Sequence, residues 1–295
     1  MACAGEAAAL AGRGTRLSGA HGRSLACPTA TRVYPALMDL PGARSGLFVA
    51  WGSAWLAGQV SLDAAAAAIA EADDEQETAD GAGVETLLAG LRADGVDRLE
   101  LLLPVPGDVR GLPEPGGPFA RAALEAGEAV LPRGAARRRG LVPAQRRVGP
   151  EGDQLVITTW SSHPLEASEL LDPPPLTVAE ADGELAEALA ASTRVLQSLE
   201  VARWHEGLDA PLAAMRERTR RGQEPASSLP PGYASRAVSL LARADRLQTV
   251  LTLALADEGG ARTSSETENR STALRSLAGA VRRARLAAYN GYATR

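Results

Sequence analysis

The chain has 295 residues, 45% of them hydrophobic and only 3% aromatic, with 23% charged and a net charge of -5. That length suits one large domain or two small ones, and the apolar fraction excludes a wholly disordered or collagen-like chain. All 31 basic residues are arginine, which removes a Walker A loop and Schiff-base chemistry, since both need a lysine.

The two cysteines, Cys3 and Cys27, and the three histidines, His21, His163 and His205, are scattered. No Cys-x-x-Cys or HExxH pattern occurs, so no metal site and no cofactor are expected. Residues 1–44 are rich in Gly, Ser, Thr and Ala and lack an apolar signal core. They read as a disordered tail or an over-extended start. Residues 45–62 are uncharged, but their small and polar residues and central tryptophans argue against a membrane span. The spacing predicts a helix near 45–57 with Phe48, Trp51 and Trp55 on one face, as a core anchor or a partner face.

Ser61 is expected to cap a helix from Leu62 to about Ala72. Residues 73–83 read as an acidic loop, and Val84–Ala93 as a helix. Asp97–Leu103 alternates as a strand and stops at Pro104. A Gly/Pro loop over 104–118, a helix Phe119–Ala126 and a strand Glu128–Leu131 then suggest one right-handed βαβ unit. Gly140–Pro143 and Leu155–Trp160 read as two more strands around a basic turn at Arg146–Gly152.

Pro173, Pro174 and Pro175 mark a boundary. Thr177 and Glu180 form a capping box for a helix running to about His205. Asp209 is expected to cap a short helix, and 222–232 to be a linker. A stripe at Ala237, Leu240, Leu241, Ala244, Leu247, Leu251, Ala254 and Leu255 predicts a long helix. The last helix starts near Thr263 or Ser265, with Leu274, Leu277, Val281, Ala284 and Ala288 facing inward. The fold class is α+β: a small α/β domain over 45–172 with three or four strands and one βαβ unit, then a mainly antiparallel helical bundle over 173–295.

No catalytic residues emerge. The 104–118 loop is the best ligand-binding candidate, because it leaves a strand's C-terminal end and enters a helix. Arg110 offers a fork for a carboxylate or phosphate and Asp108 can orient it. His163, beside Ser161 and Ser162, is a further candidate, although adjacent side chains cannot form a catalytic pair. Charge is segregated: residues 61–130 carry -11 and residues 211–295 carry +7. Arg137–Arg139, Arg146–Arg147 and the arginines near Arg282 raise a nucleic-acid reading, which the acidic pI of about 5.4 disfavours.

The segments LLLPVPGDVRGLP, FARAALEAGEAVL, GLVP and LPPGYASRAVSLLAR, with the Arg-rich last helix ending LAAYN, occur in this order. This order resembles a group of uncharacterised actinobacterial proteins over roughly residues 45–290. The resemblance implies a soluble cytoplasmic protein and assigns no site residues, because that family has no assigned activity. The expected function is a non-catalytic binding or scaffold protein, with a protein partner or a second copy of itself. The alternatives are a binder of, or enzyme on, a small anionic ligand at the 104–118 loop, and a nucleic-acid binder. Neither nucleic acid nor a membrane is the expected partner.

Overall fold

The computed structural model of the protein describes residues 40, 42–71, 75–150, 153–166, 176–198, 229–256 and 264–292. The aromatic helix is α1, Ala43–Leu56, followed by α2, Leu62–Ala70. The Ser61 hydroxyl caps α2, accepting from the Ala64 N–H at 3.1 Å. The next helix, α3, spans Val84–Ala93 as its periodicity predicts.

Among the described residues, five strands form one mixed sheet, more than the sequence predicts: β1 Glu75–Thr78, β2 Arg98–Leu102, β3 Ala129–Arg133, β4 Arg139–Val148 and β5 Leu155–Pro164. Their order across the sheet is β1-β5-β4-β3-β2. The acidic stretch read as a loop contains β1. Its inward residue is polar: Gln76 donates to the Ile69 carbonyl at 2.6 Å and accepts from the Trp160 indole N–H at 3.0 Å. A buried, fully bonded glutamine leaves no apolar alternation to detect.

The expected βαβ unit is also corrected. Between β2 and β3 lies α4, Pro118–Ala126, but the two strands pair antiparallel, Leu101 opposite Val130. Leu102 lies opposite Ala129, so β3 starts at the end of the sheet where β2 finishes. The parallel pair is β1 with β5. Arg146 and Arg147 lie inside β4 rather than in a turn, opposite Ile157 and Val156.

After the sheet come α5, Val178–Ser198, α6, Ser235–Ala256, and α7, Ser264–Asn290. The capping box of α5 forms as expected: the Glu180 N–H donates to Thr177 Oγ1 at 3.2 Å, and the Thr177 N–H to Glu180 Oε2 at 2.9 Å. Helices α5 and α6 both pack on α7. The inward stripes of α6 and α7 are buried, except that Leu247 of α6 is half-buried and Leu255 is 51% exposed. His21, His205, Cys3, Cys27, the Asp209 helix and most of the expected linker lie outside the described residues.

The pleat divides the core in two. Leu99, Leu101, Leu103, Val130, Leu141 and Trp160 join α1–α3 and α5–α7 in one cluster. Leu102, Ala129, Leu131 and Val142 pack under Phe119, Ala120 and Ala123 of α4. Gly46 of α1 lets α7 approach: a Cβ there would lie 2.5 Å from the Tyr289 ring. No helix among the described residues is long and apolar enough to cross a membrane.

Candidate functional site: a groove at the open edge of strand β2

Strand β2 ends the sheet, so its outer N–H and C=O groups need partners. Two side chains supply them. Ser53 of α1 accepts from the Leu99 N–H at 3.2 Å. Asn290 accepts from the Leu101 N–H at 2.7 Å and donates to the Leu101 carbonyl at 3.0 Å. These contacts seat the C-terminal part of α7 along β2.

Beyond them lies a groove of about 250 Å³ between β2, the loop that follows it and α7. Its apolar walls are Leu102, Leu176, Leu286 and Ala287, and its charged groups are Glu100, Asp108, Arg110, Arg133, Arg282 and Arg283. On α7, Arg282, Leu286 and Asn290 recur every four residues and so share one side. Arg285 points elsewhere, to Asp245 of α6, with Nε 2.8 Å from Oδ1. Burial pushes the Asp245 carboxyl up, against the opposing pull of Arg285.

Asp108 is placed by a tight turn. The Val105 N–H donates to the Asp108 carbonyl at 3.1 Å, and the Asp108 N–H donates back to Val105 at 2.9 Å. Pro106 and Gly107 sit at the turn's centre, Gly107 with a φ of 86°, as a type II turn requires. The Asp108 carboxylate then takes two guanidiniums. Arg110 binds it in a fork, Nε at 2.9 Å and Nη2 at 2.8 Å. Arg282 reaches it through Nη2 and donates through Nη1 to the Leu103 carbonyl at 2.6 Å. The Arg110 hydrogen bonds, helped by Arg282, hold the Asp108 carboxyl well below the usual carboxylate range.

The remaining arginines are also bridged. Arg133 Nε lies 2.7 Å from Glu100, and Arg283 Nε lies 2.7 Å from Glu184.

Of the sequence candidates, Asp108 and Arg110 are thus brought together, and His163 is not with them. His163 lies within β5 rather than after a strand, its ring 6.2 Å from that of Phe119. Its Nε2 is 3.1 Å from Ser161 Oγ, because residues two apart share a strand face. The Ser161 hydroxyl donates to the Val142 carbonyl at 3.1 Å. Its one proton is therefore committed, and the His163 N–H is the donor of the pair. Phe48 is fully buried against Trp160, ring centroids 4.5 Å apart. Trp55 is buried under the Arg92 guanidinium, 3.9 Å from the ring centroid, and Trp51 is half-buried.

The sequence reading missed Glu100, Arg133 and Asn290. Arg282 and Arg283 were visible only as part of a basic helix. The available signal was the four-residue spacing of Arg282 to Leu286 and Asn290, which mixes charge, apolar surface and amide on one side of α7. Among the described residues, no group of three or more His, Cys, Asp or Glu is placed to hold a metal ion.

Comparison with known proteins follows the same extent of chain. Residues 45–178 match the N-terminal domain of the Rv1486c-like protein family, and residues 179–286 match its C-terminal domain. An uncharacterised protein of Mycobacterium avium, MAV321, is 30% identical across 81% of this chain and 93% of its own length. No solved structure matches the chain.

Proposed function

The chain belongs to the Rv1486c-like protein family, and we propose that it is a non-catalytic cytoplasmic binding protein whose groove at the β2 edge holds a small anionic ligand. The observation that carries this reading is the convergence of Asp108, Arg110, Arg282, Arg133 and Arg283 around one concavity with apolar walls. Small-ligand sites combine such walls with a few placed polar groups.

The chemistry favours binding over catalysis. Among the described residues, the groove's side chains include no Ser, Thr, Tyr, Cys or His, and its carboxylates Glu100 and Asp108 are held in ion pairs with arginines. Asp108, held ionised by two guanidiniums, is a weak base for proton abstraction. The many intramolecular arginine ion pairs, including Arg139 with Asp94 and Arg146 with Glu77, argue against nucleic acid as the ligand. The family-domain boundary between residues 178 and 179 supports a two-part chain, 45–172 and 173–295. In this reading an antiparallel bundle presents α7 to the sheet.

Native mass spectrometry of the full chain produced in an actinobacterial host tests the reading. A bound small acid, lost in Arg110→Ala, is the expected result. Wild type and Arg110→Ala both emerging without any small molecule would overturn it.

A further inference from the structure

Resting on that reading, we propose that Asp108 is an internal placeholder for the carboxylate of the ligand: a small monocarboxylic acid with an apolar body takes the Arg110 fork from Asp108, while Arg282 retains Asp108.

The two guanidiniums on Asp108 are unequal. The Arg282 side chain is 15% exposed and is tied also to the Leu103 carbonyl, whereas that of Arg110 is 63% exposed. An exposed ion pair contributes little net stability, so Arg110 changes partner cheaply. After the exchange Asp108 still has Arg282, and no charge is left unpaired. Asp108 also sits on the rigid Pro106–Gly107 turn, which keeps it at the mouth of the groove as the ligand arrives.

The ligand class follows from three features. Arg110 grips Asp108 through two roughly parallel N–H bonds, the fork geometry that matches a planar carboxylate. Arg110 offers one fork, and a one-for-one exchange with Asp108 places one carboxylate there, which suits a monoanion. Leu102, Leu176, Leu286 and Ala287 give the remainder of the ligand an apolar bed.

The test is isothermal titration of the full chain with hexanoate, and separately with inorganic phosphate, for wild type, Asp108→Asn and Arg110→Ala. Removing the internal competitor is expected to tighten hexanoate binding about tenfold in Asp108→Asn, and Arg110→Ala to weaken it about tenfold, each step equal to about 1.4 kcal/mol. Circular dichroism identifies an unfolded variant. Should Asp108→Asn unfold, Asp108→Ser, which also removes the competing carboxylate, decides in its place: tighter hexanoate binding than wild type supports the placeholder, and equal or weaker binding overturns it. Wild type binding hexanoate with Asp108→Asn equal or weaker overturns the placeholder and leaves the groove reading standing. Binding of phosphate but not hexanoate overturns the carboxylate class. Binding of neither anion by any variant overturns the placeholder together with the groove reading.

Discussion

The Asn290 side-chain amide and the Leu101 backbone form a two-way hydrogen-bonded pair across 189 residues of sequence, 2.7 Å and 3.0 Å long. In effect α7 supplies one rung of a strand that is not there. This closes the open edge of β2, which otherwise offers unpaired backbone groups to other chains.

Asn290→Ala strands both Leu101 groups. Leu101 is fully buried, so water replaces the amide poorly. A loss of about 1–3 kcal/mol is expected from an unsatisfied buried pair. Asn290→Asp keeps only the acceptor and should fall between wild type and alanine. Urea unfolding midpoints at equal m-value check the order, and an unchanged midpoint for Asn290→Ala would refute the closure.

Two glycines in helices should respond with opposite signs. Gly90 of α3 has nothing within 4 Å of an added Cβ, so Gly90→Ala should stabilise by about 0.5–1 kcal/mol through helix propensity. At Gly46 the new methyl would meet the buried Tyr289 ring at 2.5 Å. Overpacking costs about 1–3 kcal/mol and outweighs the propensity gain. Thermal melts of both variants under one condition decide this.

Asp245 and Arg285 are both buried in the α6–α7 contact. Asp245→Leu takes away the carboxylate bonded to the buried Arg285 Nε, and breaking a buried pair costs about 3–5 kcal/mol. Adding Arg285→Met should recover most of that loss. A double-mutant cycle by chemical denaturation measures the coupling; additive losses would contradict it.

Asp108 makes stability depend on acid pH. Its folded carboxyl holds a proton less readily than in the unfolded chain, because of Arg110 and then Arg282. The stabilisation is therefore complete above the unfolded pKa near 4 and is lost as pH falls below it, about 1–3 kcal/mol for charge-assisted hydrogen bonds. Asp108→Asn should flatten that part of the profile between pH 6 and pH 3, measured as urea midpoints against wild type.

Glu128 provides a contrast with the opposite sign. Its carboxylate accepts from the Ser45 N–H at 3.0 Å near the start of α1. Burial nonetheless pushes its pKa up, against Ser45 and Arg44. Its ionised form is disfavoured in the folded state, so its contribution to stability declines as pH rises above the unfolded value near 4.3. Glu128→Gln keeps an acceptor for Ser45 and should remove this decline. The measurement is the slope of stability between pH 4 and pH 7.

Much of the helical organisation was legible in the chain, because capping and periodicity act within a few residues. Ser61 and the Thr177–Glu180 box start their helices as expected, and the predicted stripe of α7 is buried, although Arg285 and Tyr289 are buried beside it. The Asp108–Arg110 contact was equally local, since both lie on one turn-bearing loop. What the tertiary structure alone decided is long-range. The Gln76 strand joined the sheet through a buried polar side chain, β2 and β3 paired antiparallel, and Arg282, Arg133 and Asn290 reached the groove from distant elements. Strand partners and salt-bridge partners depend on which surfaces meet when the core closes. Hydrophobic burial, which carries no sequence address, sets that meeting.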